Sequence, residues 1–359
     1  MSIASIFEII GPIMVGPSSS HTAGAVRIGL AAYRFLGEEP VAVEITLFGS
    51  YAKGYRGHKT DVAILAGCLG FSVDDPRVPD ALAESQARGI KVKIELGENA
   101  DYHTNTAVVC LLGKSGRKIK VRGISIGGGN IEIEEAQVLA QGQSTTCTQC
   151  INCTNKNNKN EHSNAPKVYG LETCAELVSA AESRGLSLAE VIIEQEADAW
   201  GKTEAEIREM VANILSAMER AVQNGLKGNN KSIGGLTAQD AVRFQQAQME
   251  GKLLGDRLYA NAICWAMATN ETNAAMGVVA AAPTGGACGT LPGALLAAAD
   301  KLSSSRQELI NGLAVAGGIG ARVAAQTSLS ASVAGCQVEV GVGVGMGAAA
   351  VAQLAGGQS

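Results

Sequence analysis

The chain has 359 residues, 46% hydrophobic and 18% charged, with a formal net charge of −5. That length accommodates two domains, because single cores rarely grow past about 250–300 residues. The hydrophobic fraction excludes wholesale disorder, and the mild acidity lacks the basic footprint of a general nucleic-acid binder. Glycine is the outlier, at 44 residues beside 5 Phe, 2 Trp and 6 Tyr. No G-X-Y period accompanies it, so collagen is excluded. The core must then be built of Ala, Val, Ile and Leu, with backbones packed close.

The N-terminal MSIASIFEIIGPIMVGP lacks a basic region and is interrupted by Glu8 and Pro12, which argues against a signal peptide. Thr22 to Leu36 reads as a helix entered from a Ser-rich turn. Residues 41–48 alternate, with Val41, Val43, Ile45 and Leu47 on one face, as do residues 90–96, with Ile90, Val92, Ile94 and Leu96. Strands are expected at 106–112, 118–126 and 130–135, and helices near 60–69 and 78–88. Residues 1–140 are therefore expected to form an α+β domain with helices packed on one sheet. Residues 141–167 are polar and rich in Cys and Asn, a linker by composition.

Residues 168–359 are expected to form a mainly α-helical domain. Ile207, Val211, Ile214, Met218 and Ala221 or Val222 mark one helix face, ended by Gly225 and Gly228. VEVGVGVG (338–345) alternates like a strand, although its glycines weaken that pattern. The charge-free run from Thr272 to Ala299 has membrane-like composition, but Pro283, Gly285, Gly286, Gly289, Pro292 and Gly293 interrupt it, so no membrane span is expected. The nine cysteines are odd in number and mostly isolated, which suits a reducing compartment, the cytoplasm.

Five constellations could carry chemistry. Ser18-Ser19-Ser20-His21-Thr22 directly precedes a helix, as an N-cap run or a site for a carboxylate or phosphate. Tyr55 to Asp61 holds His58, Thr60 and Asp61 near a helix start, as a functional turn or a solvated loop. Ser125 to Asn130 is a Gly-rich turn between strands, and a hairpin is favoured over a phosphate cradle. Cys147, Cys150 and Cys153 have C-x₂-C-x₂-C spacing, which His162 could complete, but no apolar shell surrounds them. Asn270–Asn273, Ala282–Gly289 and Gly335–Gly341 are polar islands in apolar sequence, and buried amides and hydroxyls need partners or a ligand.

These residues carry a family resemblance. IFEIIGPIMVGPSSSHTAGAVRIG, LFGSYAKGYRGHKTDVAI and GISIGGGNIEI resemble the β chain of the iron–sulfur-dependent L-serine dehydratases. GLSLAEVIIEQEADAWGKTEAEI, NETNAAMG, APTGGACGTLPGALLA and AVAGGIGARVAAQTSLSASVAGCQVEVG resemble the α chain. The resemblance covers nearly all of residues 3–136 and 168–354. It implies deamination of L-serine to pyruvate and ammonia at a [4Fe–4S] cluster, in which iron acts as a Lewis acid on the substrate hydroxyl and a base takes the Cα proton. It further implies that Ser18, Ser19, Ser20, His21, Thr22, His58, Thr60 and Asp61 line the β side of the site. Asn270, Asn273, Thr284 and Gly285 line the α side, and Cys336 is a cluster ligand. His21 and His58 are the candidate bases, with Asp61 beside them. A homodimer is expected, with L-serine as the small-molecule partner.

Three departures from the family are visible. The α-type region stops at Ser359, before the segment that carries the other cluster cysteines in the family, so a fragment or split enzyme is expected. The Cys/Asn-rich linker stands where an ACT-type domain often follows, and Cys147, Cys150 and Cys153 could replace the missing ligands only without a supporting shell. Lys59 stands where the family usually has Gly. Two alternatives remain at this stage: an inactive serine-binding or assembly subunit, and a pyridoxal-phosphate lyase using Gly127–Gly129, for which no lysine sits in a convincing Schiff-base context.

Overall fold

The computed structural model describes residues 2–140, 143–146, 165–327, 329 and 336–357. The chain divides into two compact units, one of residues 14–164 and one of residues 1–13 with 165–359. The first thirteen residues thus leave the sheet unit to which the sequence pattern assigned them. The cause is apolar burial. Ile3, Ile6, Phe7, Ile9 and Ile10, around the short helix α1 (Ile6–Ile9), belong to the core of the helical unit. A buried carboxylate fixes this segment, since Glu196 accepts hydrogen bonds from Ser5 Oγ at 2.6 Å, Ile6 N at 2.8 Å and Trp200 Nε1 at 3.0 Å.

The sheet unit opens with α2 (Gly24–Leu36), entered through a π-helical turn at Ser19–Ala23. There follow β1 (Pro40–Leu47), α3 (Gly49–His58), α4 (Thr60–Cys68), α5 (Ala81–Ala87), β2 (Lys91–Leu96), β3 (Thr106–Gly113), β4 (Lys118–Gly127), β5 (Asn130–Ala140) and β6 (Gln143–Thr146). The sheet order is β2-β1-β3-β4-β5-β6. The β1–β2 pair is parallel and every other pair antiparallel. Register pairs Ile45 with Val109 and Val109 with Val121, which puts the buried Val43, Ile45, Leu47, Val109, Leu111, Ile119 and Val121 on one face, as period-2 alternation requires. Helices α2 and α4 pack on the sheet. Leu96 departs from its expected core face and is 56% exposed at the end of the edge strand β2.

Glycine composition acquires its reason where α2 crosses α4. A Cβ on Gly29 would stand 2.0 Å from the Ile64 carbonyl oxygen, and one on Gly67 would stand 2.0 Å from that of Val26. Only two bare backbones can approach so closely. The Gly-rich turn between β4 and β5 is a hairpin. Gly127 pairs with Asn130, and Gly128 (φ 61°) and Gly129 (φ 84°) form its two-residue loop, the conformation such loops demand. The buried Arg27 donates from Nη1 to the Gly129 carbonyl at 2.5 Å and ties the hairpin to α2.

The helical unit comprises α6 (Cys174–Arg184), α7 (Leu188–Trp200), α8 (Glu204–Gly225), α9 (Asp240–Met249), α10 (Arg257–Ala274), α11 (Thr290–Leu302), α12 (Arg306–Ala324) and α13 (Cys336–Leu354). Thr173–Glu176, Ser187–Glu190, Thr203–Glu206 and Ser305–Glu308 are capping boxes that open four of them. The α8 face is buried at Ile207, Val211, Ile214, Met218, Ala221 and Val222, as its spacing predicts. Gly225 is not a left-handed cap, because a Cβ there would lie 2.0 Å from the Ala268 carbonyl oxygen of α10. Close packing, not chain reversal, selects this glycine.

Residues 338–345 are helical within α13, not a strand. Glu339, Val342, Gly343, Met346, Gly347 and Ala350 are buried, a helical i, i+3, i+4, i+7 set. The alternating Val/Gly pattern coincides with that set at Val342, while the glycines let α13 lie close to Ala294 and Thr290 of α11. The charge-free run 272–299 is divided among the end of α10, a buried turn at Thr284–Gly285 and α11. Among the described residues one helix stretch, Gln337–Leu354, is long and apolar enough to cross a membrane by length and composition.

Candidate active site

In the sheet unit, the junction of three helical segments concentrates polar groups. Helix α3 ends at His58, α4 begins at Thr60, and the intervening Lys59 has φ 53° and ψ 38°. This left-handed link turns the chain so that His58, Thr60 and Asp61 lie next to the π-helical turn. Such a conformation suits Gly, and a Cβ there costs about 1–2 kcal/mol.

His21 and His58 lie face to face, with ring centroids 4.7 Å apart and planes tilted by 33°. Tyr51 meets His21 edge-on at 5.3 Å. His21 Nε2 shares a hydrogen bond of 2.8 Å with Ser50 Oγ. Ser50 is itself fixed at the start of α3, where its N–H donates to the Thr104 carbonyl at 2.6 Å. Burial, and secondarily the neighbouring His58, lower the His21 pKa to about 4. His21 is therefore a neutral imidazole at pH 7, able to take up a proton.

The hydroxyls of the Ser-rich turn divide into two sets. Ser18 Oγ accepts from His21 N at 3.0 Å and caps the turn. Thr22 Oγ1 donates to the His58 carbonyl at 2.9 Å, and Tyr51 Oη donates to the Ser20 carbonyl at 2.9 Å. These bonds hold the two histidines and the serine turn in one arrangement. The side chains of Ser19 and Ser20 have no hydrogen-bond partner among the described residues. In the same unit His58 Nδ1, Thr60 Oγ1, Asp61 Oδ1 and Asn105 Oδ1 are buried without a partner. Burial also raises the Asp61 pKa. Unpartnered buried polar atoms are rare in folded proteins, and several in one place mark a ligand site. Ser50, Tyr51 and Asn105 were not singled out by the sequence. Their only signal was position inside, or close to, the family segments.

The helical unit gathers a second group. Asn273 lies near the end of α10, and its Nδ2 donates to the Gly285 carbonyl at 2.8 Å, leaving Oδ1 buried and unpartnered. Thr284 Oγ1 donates to Glu339 Oε2 across a short hydrogen bond. Asn270 is exposed, and its Oδ1 accepts a weak bond from the Cys288 thiol at 3.8 Å. Thus Asn273, Thr284 and Gly285 lie together, joined by Glu339, which the sequence pattern had placed on a strand.

Cysteine chemistry is sparse in the described residues. Burial pushes the Cys288 thiol up to about 12 and the Cys264 thiol up to about 11, so neither is a ready thiolate. Cys336 is the first residue of α13, and its side chain lies outside the described set. Cys147, Cys150, Cys153 and His162 also lie outside the described residues. Among the described residues no three of His, Cys, Asp and Glu are placed to hold a metal ion. The described donors do not make up the ligand set of a [4Fe–4S] cluster, which takes several thiolates.

Comparisons with known proteins match two stretches of the chain to one family. Residues 2–99 match the family profile of the serine dehydratase beta chain, and residues 183–359 match that of the serine dehydratase alpha chain. The probable L-serine dehydratase beta chain of Bacillus subtilis (strain 168) is 45% identical over 135 residues, covering 38% of this chain and 61% of that protein. The corresponding probable alpha chain is 42% identical over 182 residues, covering 51% and 60%. The L-serine dehydratase of Streptomyces coelicolor is 30% identical over 386 aligned positions, covering 98% of this chain and 79% of its own. The chain thus spans about three fifths of each separate-chain relative and more of the single-chain one.

Proposed function

Because the chain belongs to the serine dehydratase family, we propose that it deaminates L-serine to pyruvate and ammonia. The observation that carries the reading is the His21–His58 pair, with a neutral imidazole beside buried, unpartnered polar atoms. Elimination of water from serine requires a base for the Cα proton, and a neutral imidazole offers a lone pair to take it. His21 is the favoured base, held by Ser50 Oγ, and His58 is the other candidate. Asp61, with its raised pKa, is suited to hold a proton close by.

Ser19 and Ser20 supply hydroxyl donors for the substrate carboxylate. Ser18 and Thr22 act instead by holding the turn and His58 in place. Thr60 offers a further buried hydroxyl. On the helical unit Asn270, Asn273, Thr284 and Gly285 are the substrate-binding candidates. The amino-acrylate product hydrolyses to pyruvate and ammonium once released.

The cofactor of this reading is a [4Fe–4S] cluster with Cys336 as one ligand, carried over from the family resemblance. The described residues do not complete its ligand set. The same reading takes the protein as a cytoplasmic enzyme working as a homodimer. Anaerobic incubation of the chain with iron and sulfide, followed by assay of L-serine turnover, tests the proposal. Equimolar pyruvate and ammonia with a visible iron–sulfur absorption support it. Iron–sulfur uptake with no pyruvate, while calorimetry still detects serine, would favour a serine-binding or assembly subunit instead.

A further inference from the structure

Helix α3 begins against a fixed point in the sheet unit. A Cβ on Gly49, where φ is 55°, would stand 2.4 Å from the Thr104 carbonyl oxygen, so the chain entering α3 lies directly on the loop before β3. Ser50, the next residue, uses that closeness. Its N–H donates to the Thr104 carbonyl at 2.6 Å and to Thr104 Oγ1 at 3.1 Å. Its hydroxyl has one partner among the described residues, His21 Nε2 at 2.8 Å. The Tyr51 edge and the His58 face close on the same imidazole, with centroids at 5.3 Å and 4.7 Å.

The two histidines differ in which nitrogen remains open. His21 Nδ1 makes no hydrogen bond among the described residues and is not sealed from solvent, whereas His58 Nδ1 is buried without a partner. A Cβ on Gly54 would stand 3.1 Å from that His58 nitrogen, so little room is left beside it. A protonated imidazole is a donor at both nitrogens. His58 in that form would bury an N–H with no acceptor, which is costly. His21 in that form has an acceptor in place, because a hydroxyl can take a hydrogen bond as well as give one.

We propose that Ser50 is a positioning residue of the elimination, its Oγ accepting from His21 Nε2–H so that the lone pair rests on Nδ1, which takes the Cα proton. The hydrogen bond made by one imidazole nitrogen sets the state of the other. In the step itself the Cα–H bond breaks and its proton goes to Nδ1. Its electron pair becomes the Cα=Cβ bond, and the β-hydroxyl leaves with the C–O pair. The His21 imidazolium so formed keeps its Nε2–H on Ser50. This assignment rests on the serine reading above. It adds which imidazole and which nitrogen receive the proton, and what fixes that choice.

The chain has four histidines, few enough for nitrogen NMR of the whole chain with isotope-labelled histidine at pH 7, the His21 signals being identified by their loss in His21→Asn. The unaltered chain should show His21 with a bare Nδ1 and a protonated Nε2. Ser50→Ala should turn this into a mixture of both tautomers, and Ser50→Thr, which keeps the hydroxyl, should preserve it. In the anaerobically reconstituted chain, Ser50→Ala should lower kcat for L-serine about ten-fold or more and leave KM within about two-fold, while Ser50→Thr restores kcat to within about three-fold. A proton on His21 Nδ1 in the unaltered chain, or a Ser50→Ala variant that melts at a lower temperature with tautomer and kcat unchanged, would overturn the assignment while leaving the serine reading intact. An unaltered chain that takes up iron and sulfide yet releases no pyruvate would overturn both.

Discussion

The two units solve the same packing problem with glycine but treat buried polar groups differently. In the sheet unit a reciprocal Gly29/Gly67 contact lets α2 and α4 touch backbone to backbone. Three of the unpartnered polar atoms of this unit lie on His58, Thr60 and Asp61, at the junction that also holds His21, and others lie on Asn105 and Ser125. In the helical unit glycines recur along α8, α11, α12 and α13, at Gly225, Gly293, Gly317, Gly318 and Gly343. Its carboxylate Glu196 accepts three hydrogen bonds, whereas Glu271 Oε2 and Asn273 Oδ1 are buried without a partner. The lesson is that glycine content reports close packing in both units, whereas unsatisfied polar groups occur both at the candidate site and in the scaffold.

The comparison can be broken most forcefully at the α2–α4 crossing. Gly29→Val places side-chain atoms inside the Ile64 carbonyl's contact distance, and overpacking of this kind should cost about 3 kcal/mol or more. Urea unfolding followed by circular dichroism should show the loss; an unchanged midpoint would mean that the helices separate without cost. Glu196→Ala should destabilise the helical unit by about 2–3 kcal/mol, by stranding the Ser5 hydroxyl proton and Ile6 N and leaving Trp200 Nε1 only Ser5 Oγ. Both tryptophans, Trp200 and Trp265, lie in the helical unit, so fluorescence follows that effect directly.

A pH series sharpens the contrast further. The folded His21 pKa is about 4 against an ordinary 6.5, so the unfolded chain binds the proton first as pH falls. Stability from this group is fully present above about 6.5 and is lost as pH drops from there toward about 4. His21→Asn should flatten that part of the stability curve and leave it unaltered above pH 7. The smallest expected effect is at the left-handed link. Lys59→Gly should stabilise the sheet unit by about 1 kcal/mol, measured by the urea midpoint.

Much of the sheet unit was legible because period-2 alternation survives where one sheet face is buried, as in Val43, Ile45 and Leu47. The α8 face was legible for the corresponding reason at period 3.6. The strand reading of residues 338–345 failed because Val/Gly alternation says which residues are small, not how the backbone coils, and packing on α11 selects the helix. The packing of residues 1–13 in the helical unit was not legible, because their partners, Glu196 and Trp200, are nearly two hundred positions away, beyond any local pattern. In the candidate site, His21, His58 and the Ser-rich turn stood out by residue type. Ser50 and Glu339 did not, since their meaning lies in what they touch or fail to touch.

The most direct measurement is pyruvate release from L-serine by the anaerobically reconstituted chain and by its His21→Asn variant, assayed side by side at pH 7–8. The account predicts pyruvate and ammonia in equal amounts from the unaltered chain, and a rate lower by about 10²-fold or more in the variant with serine binding retained. A variant that turns over serine as fast as the unaltered chain, or an unaltered chain that takes up iron and sulfide yet releases no pyruvate, would contradict it.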